Sequence, residues 1–102
     1  MKTYNLIVTE LAHEDLQKAK DFYDEQALYL GDYFIDSMFV DLESLCFYGG
    51  IHEQHFGYFK MLAKRFPFAV YYDIEEENVV VHAILDTRQN PSSVESRLGD
   101  NP

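Results

Sequence analysis

The apolar residues of this chain change period once, and that change limits the folds open to it. From Glu10 to about Ala27, the apolar positions Ala12, Leu16, Ala19 and Tyr23 recur at spacings of four and three, with Phe22 widening the stripe. This is the pattern of a helix with one buried face. Leu28 to Gly31 reads as the turn into a second helix that runs to about Tyr48, with Phe34, Met38, Leu42 and Leu45 inward. Gly49-Gly50 ends that helix, since glycine readily takes the left-handed conformation there. Two helices joined so tightly pack as an antiparallel hairpin.

The second half alternates. Tyr58 to Ala63 reads as a strand, and Phe66, Phe68, Val70, Tyr72 and Ile74 then line one face, with Pro67 making the start irregular. Glu75-Glu76-Glu77-Asn78 is a polar turn, and Val79 to Leu85 is almost wholly apolar and β-branched, as an interior strand is. Before the helices, Tyr4 to Val8 is a short β-type run closed by Thr9, which can cap the first helix. The stretch Ser92 to Leu98 can form a short C-terminal helix. The order β-α-α-β-β-β, with helices grouped ahead of strands, predicts an α+β fold: a helical hairpin on a mostly antiparallel sheet. At 102 residues there is one core. Residues 1–98 are expected to form the domain and 99–102 a loose tail.

Composition narrows the functional classes. The chain is 47% hydrophobic and carries eight Tyr and eight Phe, enough to pack a core. No apolar run can span a bilayer. The first ten residues lack the pattern of a signal peptide, which makes the cytoplasm the expected location. Cys46 is the single cysteine, so neither an internal disulfide nor a thiolate metal cluster is open, and a buried inert thiol is expected. The net charge of −10 argues against a broad nucleic-acid surface. The charge is also segregated. Glu10 to Glu43 holds ten carboxylates and two lysines, whereas Lys60, Lys64, Arg65, Arg88 and Arg97 all lie beyond position 59. A small basic site in the sheet region is therefore compatible with the acidic balance.

Three other features have ordinary structural readings. His52-Glu53-Gln54-His55 is one residue short of the zinc-protease helix motif and follows Gly-Gly in a loop. Tyr71 and Tyr72 could stack on bases. As adjacent strand residues, however, they face opposite sides, which puts at least one in the core. His82, inside an apolar strand, is expected as a hydrogen-bonded histidine against the helices or at an edge.

The stretch Phe59-Lys60-Met61-Leu62-Ala63-Lys64-Arg65-Phe66-Pro67-Phe68-Ala69-Val70-Tyr71-Tyr72 resembles the RelE/ParE toxin superfamily on its plasmid-stabilisation side. There a basic residue precedes Lys/Arg-Phe-Pro-aromatic-x-hydrophobic-Tyr-Tyr. Leu11 to Leu16 fits the family's opening helix. Val81 to Pro91, holding Arg88-Gln89-Asn90-Pro91, fits its last strand and the turn after it, with Arg97 beyond. The resemblance covers nearly the whole chain.

It implies the growth-inhibiting toxin of a type II toxin–antitoxin system, neutralised by a cognate antitoxin with which it forms an oligomer. One branch of the family cleaves messenger RNA in the ribosome and another inhibits DNA gyrase, and fold alone does not decide between them. Arg65 and Arg88 match family positions and are the expected target contacts, with Lys60, Lys64 and Arg97 behind them. The strands carrying Lys60, Arg65 and Arg88 lie side by side in this fold, so their cations could converge. Two departures bear on the chemistry. Asp86 stands where the family often has His, and Gln89 replaces the second member of a basic pair. No tyrosine follows Pro91. A carboxylate there repels phosphate where imidazole could shuttle protons. Gyrase inhibition is thus expected ahead of a metal-independent endoribonuclease, with a non-toxic antitoxin-binding homologue as the other alternative. The antitoxin would lay an amphipathic helix or extended segment over the hydrophobic surface and cover the basic region. No cofactor, metal or membrane is implied.

Overall fold

A computed structural model describes residues 3–99 of the chain. β1 (Asn5–Val8) leads into α1 (Glu10–Gln26) and α2 (Leu30–Tyr48), followed by β2 (Gln54–His55), β3 (Tyr58–Leu62), β4 (Phe68–Glu75), β5 (Asn78–Asp86) and α3 (Pro91–Leu98). The strands form one sheet in the order β1-β5-β4-β3-β2. β1 runs parallel to β5 and every other pair is antiparallel. The fold is α+β, as the change of period predicts. No described helix is long and apolar enough to cross a membrane. Of the expected loose tail, only Gly99 falls within the described residues.

Local chemistry explains the boundaries. Thr9 Oγ1 accepts the Ala12 N–H at 3.3 Å and caps α1. The connection to α2 is tighter than the expected Leu28–Gly31 turn, because Gly31 lies inside the helix. Its N–H donates to Asp24 Oδ1 at 2.9 Å, and a Cβ there would stand 2.3 Å from that oxygen. Close approach of α1, rather than backbone torsion, requires glycine here. The strand β2 was absent from the expected order. It forms because Phe56 (φ 56°) and Gly57 (φ 84°) both take positive φ, closing a two-residue hairpin that pairs His55 with Tyr58.

The sheet is covered on both faces. Toward the hairpin, Ala12, Leu16, Phe34, Met38, Leu42 and Leu45 pack on Val70, Tyr72, Val79, Val81 and Ile84. On the other face Leu98 and Val94 of α3 pack on Ala69, Tyr71, Ala83 and Leu85. Tyr71 and Tyr72 are therefore both core residues, one in each layer. Phe22, by contrast, is half exposed rather than part of the buried stripe, and Cys46 is only partly buried.

A β-bulge interrupts β5. Tyr71 pairs with Ala83 but Tyr72 with Val81, which leaves His82 as the extra residue. Val81 and Ile84 both face the hairpin, so His82 joins Ala83 on the opposite face, not against the two long helices. It is hydrogen-bonded, as expected, with Nε2 3.1 Å from Asp73 Oδ1.

Beyond the bulge β5 loses its outer neighbour, since β1 pairs only as far as Val81. Side chains take over. Asp15 of α1 accepts the Ile84 N–H at 3.0 Å and is gripped by Arg97 of α3 through bonds of 2.9 and 2.8 Å. Arg97 also donates to the His82 carbonyl at 3.2 Å.

Two stability changes are expected. Gly31→Ala lowers the urea midpoint by an amount equivalent to about 1–3 kcal/mol, the range for forcing extra atoms into packed space. Asp15→Ala costs about 1.5–3 kcal/mol, as lost hydrogen bonds to a charged group do. Hydrogen exchange at the Ile84 amide should accelerate in the same variant.

Candidate functional site

The five cations singled out in the sequence lie on β3, the β3–β4 connection, the segment after β5, and α3. The connection is built around aromatic packing. Phe66 reaches into the hairpin, with ring centroids 4.9 Å from Tyr23 and 5.0 Å from Phe34, and Phe68 lies 5.1 Å from Phe34. Buried Asp41 of α2 accepts the Lys64 N–H at 3.1 Å. With both ends of the connection held, the Lys64 and Arg65 side chains stay exposed.

The segment after β5 is tied to the same place. The Thr87 N–H and hydroxyl donate to the Pro67 carbonyl at 2.8 and 3.1 Å. Asn90 then caps α3 by accepting the Ser92 N–H at 3.0 Å, with Pro91 in the first turn. Between these anchors Arg88 folds back on Asp86. Its Nε and Nη2 donate to the two carboxylate oxygens at 3.0 and 2.6 Å, and its backbone N–H donates to Oδ1 at 2.8 Å. The hydrogen bond from the Arg88 side chain holds the Asp86 carboxyl below the usual carboxylate range, and the same pairing raises the arginine. Burial raises the Tyr23 phenol, while the adjacent Arg88 partly opposes that shift.

The five cations consequently fall into two groups. Arg88 and Arg97 are each held bidentately by a carboxylate, Asp86 and Asp15 respectively. Lys60, Lys64 and Arg65 form no ion pair among the described residues. The hydrogen bonds between Thr87 and Pro67 bring the Arg65 and Arg88 segments together, whereas Lys60 faces the α3 layer opposite Tyr71.

Asp86 and Gln89 form a wall shared by two clefts. One, about 250 Å³, lies between α1 and the sheet and is bordered by Lys18, Phe22 and Phe68. The other, about 140 Å³, lies on the α3 side and is bordered by Phe56, Lys60 and Tyr71. Lys18 and Phe22 were not among the expected site residues. Helical periodicity assigned Phe22 to the core because it adjoins the buried stripe. The pair His52 and His55 makes no shared site: His52 Nδ1 hydrogen-bonds the Tyr72 hydroxyl, while exposed His55 lies 4.0 Å from Glu53.

No family model matches the sequence, and no curated protein does. Among solved structures, a chain from the chromosomal ParDE toxin–antitoxin system of P. aeruginosa aligns with a TM-score of 0.70 at 16% identity, covering 84% of this chain and 98% of that one. The fold is RelE/ParE-like. In a RelE/ParE-like frame, the Arg65-Phe66-Pro67-Phe68 motif has a divided role. Both phenylalanines hold the hairpin to the sheet, and the arginine projects outward.

The Asp86–Arg88 pair carries a pH signature. Because the folded Asp86 pKa is depressed, its stabilising contribution is full above the unfolded carboxylate value of about 3.9 and is lost as pH falls through the folded value. Asp86→Asn should flatten the acid limb of the stability curve below about pH 5, followed by thermal unfolding across that range.

Proposed function

We propose that this chain is the toxin of a type II toxin–antitoxin pair, restrained by a cognate antitoxin, and that it arrests growth through DNA gyrase rather than by cutting RNA. The RelE/ParE-like fold, matched over nearly the full length of a ParDE-system chain, carries the toxin half of this reading. The state of Asp86 carries the choice of target. Its carboxylate, kept ionised by Arg88, stands at the strand end where phosphodiester cleavage would call for a proton shuttle. Inhibition by protein contact does not need one. Of the five cations singled out in the sequence, Lys60, Lys64 and Arg65 are available for that contact, and Arg88 joins them only by releasing Asp86.

The antitoxin is proposed to cover the basic region and seat an apolar side chain in the α1-side cleft. Half-exposed Phe22 supplies the apolar wall of that cleft. Acidic residues of the antitoxin would face Lys64 and Arg65. The location that fits this role is the cytoplasm.

Controlled induction of the chain in a bacterial host, beside Arg65→Ala and Arg88→Ala, tests the reading. Growth arrest by the wild type that weakens in Arg65→Ala, with transcripts intact and supercoiling activity reduced, is the expected result. Cleaved transcripts would instead identify an RNA-cleaving member. A folded wild type that leaves growth untouched, yet binds the product of an adjacent reading frame, would identify a non-toxic antitoxin-binding homologue.

A further inference from the structure

We propose that Asp73, Glu75 and His82 form a site for a divalent first-row transition ion of the zinc type. Asp73 and Glu75 are two apart on β4 and so project from the same face. In a regular strand His82 would not join Ala83 on one face. The bulge at Tyr71/Tyr72 places it there, over the two carboxylates. One ligand atom from each residue lies within 4.8 Å of the others, a clustering found nowhere else among the described residues.

The closest pair, now hydrogen-bonded, stands within a few tenths of an ångström of ligand spacing. Donor atoms about 2.0–2.2 Å from a tetrahedral ion are about 3.3–3.5 Å apart. His82 Nε2 and Asp73 Oδ1 are 3.1 Å apart. Glu75 is exposed at the strand end, so its longer side chain can close the remaining gap.

Charge favours a cation. Neither Asp73 nor Glu75 has a lysine or arginine ion-pair partner among the described residues. Glu76 and Glu77 in the adjoining turn deepen the negative potential. One imidazole and two carboxylates would leave a dipositive ion neutral. The nitrogen ligand selects zinc-like ions over magnesium or calcium, and a fourth position remains for water. The Tyr58 ring, 5.0 Å from the imidazole, shields one side of the site. The site lies toward the β4–β5 turn, whereas the basic segments lie at the other end of β4. It is therefore independent of the proposed toxin function.

The test is calorimetric titration of the chelator-stripped full chain with Zn²⁺ and, separately, Mg²⁺. One Zn²⁺ per chain is expected. Binding should weaken about tenfold or more in both His82→Gln and Glu75→Gln, at least the cost of disturbing a metal ligand's outer partner. His55→Gln should leave it unchanged. At free Zn²⁺ one hundred times Kd, the folded-to-unfolded ratio should rise about 100-fold. Because Glu75 is exposed, its variant reports on the site without threatening the core. Absence of saturable binding, full affinity in either ligand variant, or equal affinity for Mg²⁺ would overturn the proposal.

Discussion

The outer edge of β5 beyond Val81 is the constraint on which the arrangement of this molecule turns. A strand whose neighbour stops halfway exposes unpaired N–H and C=O groups, which cost stability if buried and invite foreign strands if left open. The chain meets this with side chains from two helices. Asp15 reaches from α1 to the Ile84 amide, and Arg97 reaches from α3 to Asp15 and the His82 carbonyl. One ion pair thus locks a helix from each layer onto the same strand edge. It fixes α3 over the second face of the sheet, and the α3-side cleft owes its shape to that placement.

The same device recurs and changes the meaning of the acidic composition. Four aspartates each accept a hydrogen bond from a distant or turn amide: Asp15 from Ile84, Asp24 from Gly31, Asp41 from Lys64, and Asp86 from Arg88. Such charge-assisted bonds are stronger than neutral ones. Three of them set the position of a connection or edge that nearby β pairing does not fix. Part of the −10 net charge therefore works as internal scaffolding rather than as a uniform repulsive field. Asp24 shows the electrostatic consequence: the hydrogen bond from Lys20 is the main cause of its lowered pKa, and the Gly31 amide adds to it.

The hairpin, the antiparallel strands and the α+β class were legible because burial imposes period, and Ala12, Phe34, Val70 and Val81 keep to it. β2 was not legible, because two residues are too few to show alternation, although Phe56-Gly57 held a trace of the turn. The bulge at His82 could not be read because a run such as Val79–Leu85 looks the same with or without an extra residue. The cations were visible, but their partners were not. Arg97 and Asp15 are 82 positions apart, and only folding brings them together. Asp86-Thr87-Arg88 was a local signal that a carboxylate and a guanidinium could fold onto one another across a turn.

The division among the cations bears on the proposed choice of target. A polyanion gains affinity with each phosphate neutralised, and the gain is steepest where many free cations line one groove. Here bidentate carboxylates hold Arg88 and Arg97, and of the other three cations singled out in the sequence only Lys60 borders either cleft that Asp86 lines. Lys60 borders the α3-side cleft, while Lys64 and Arg65 project from the β3–β4 connection. Separate point charges beside apolar clefts suit a protein surface, where a few salt bridges set register and buried apolar contacts supply affinity. For Arg88 the engagement is conditional. Its partner Asp86 is only partly buried and the Arg88 side chain is 64% exposed, so an incoming carboxylate could exchange with Asp86 at little desolvation cost. Arg97 has no such freedom, because releasing Asp15 would leave that nearly buried carboxylate without its cation and unpair the His82 carbonyl at the edge of β5.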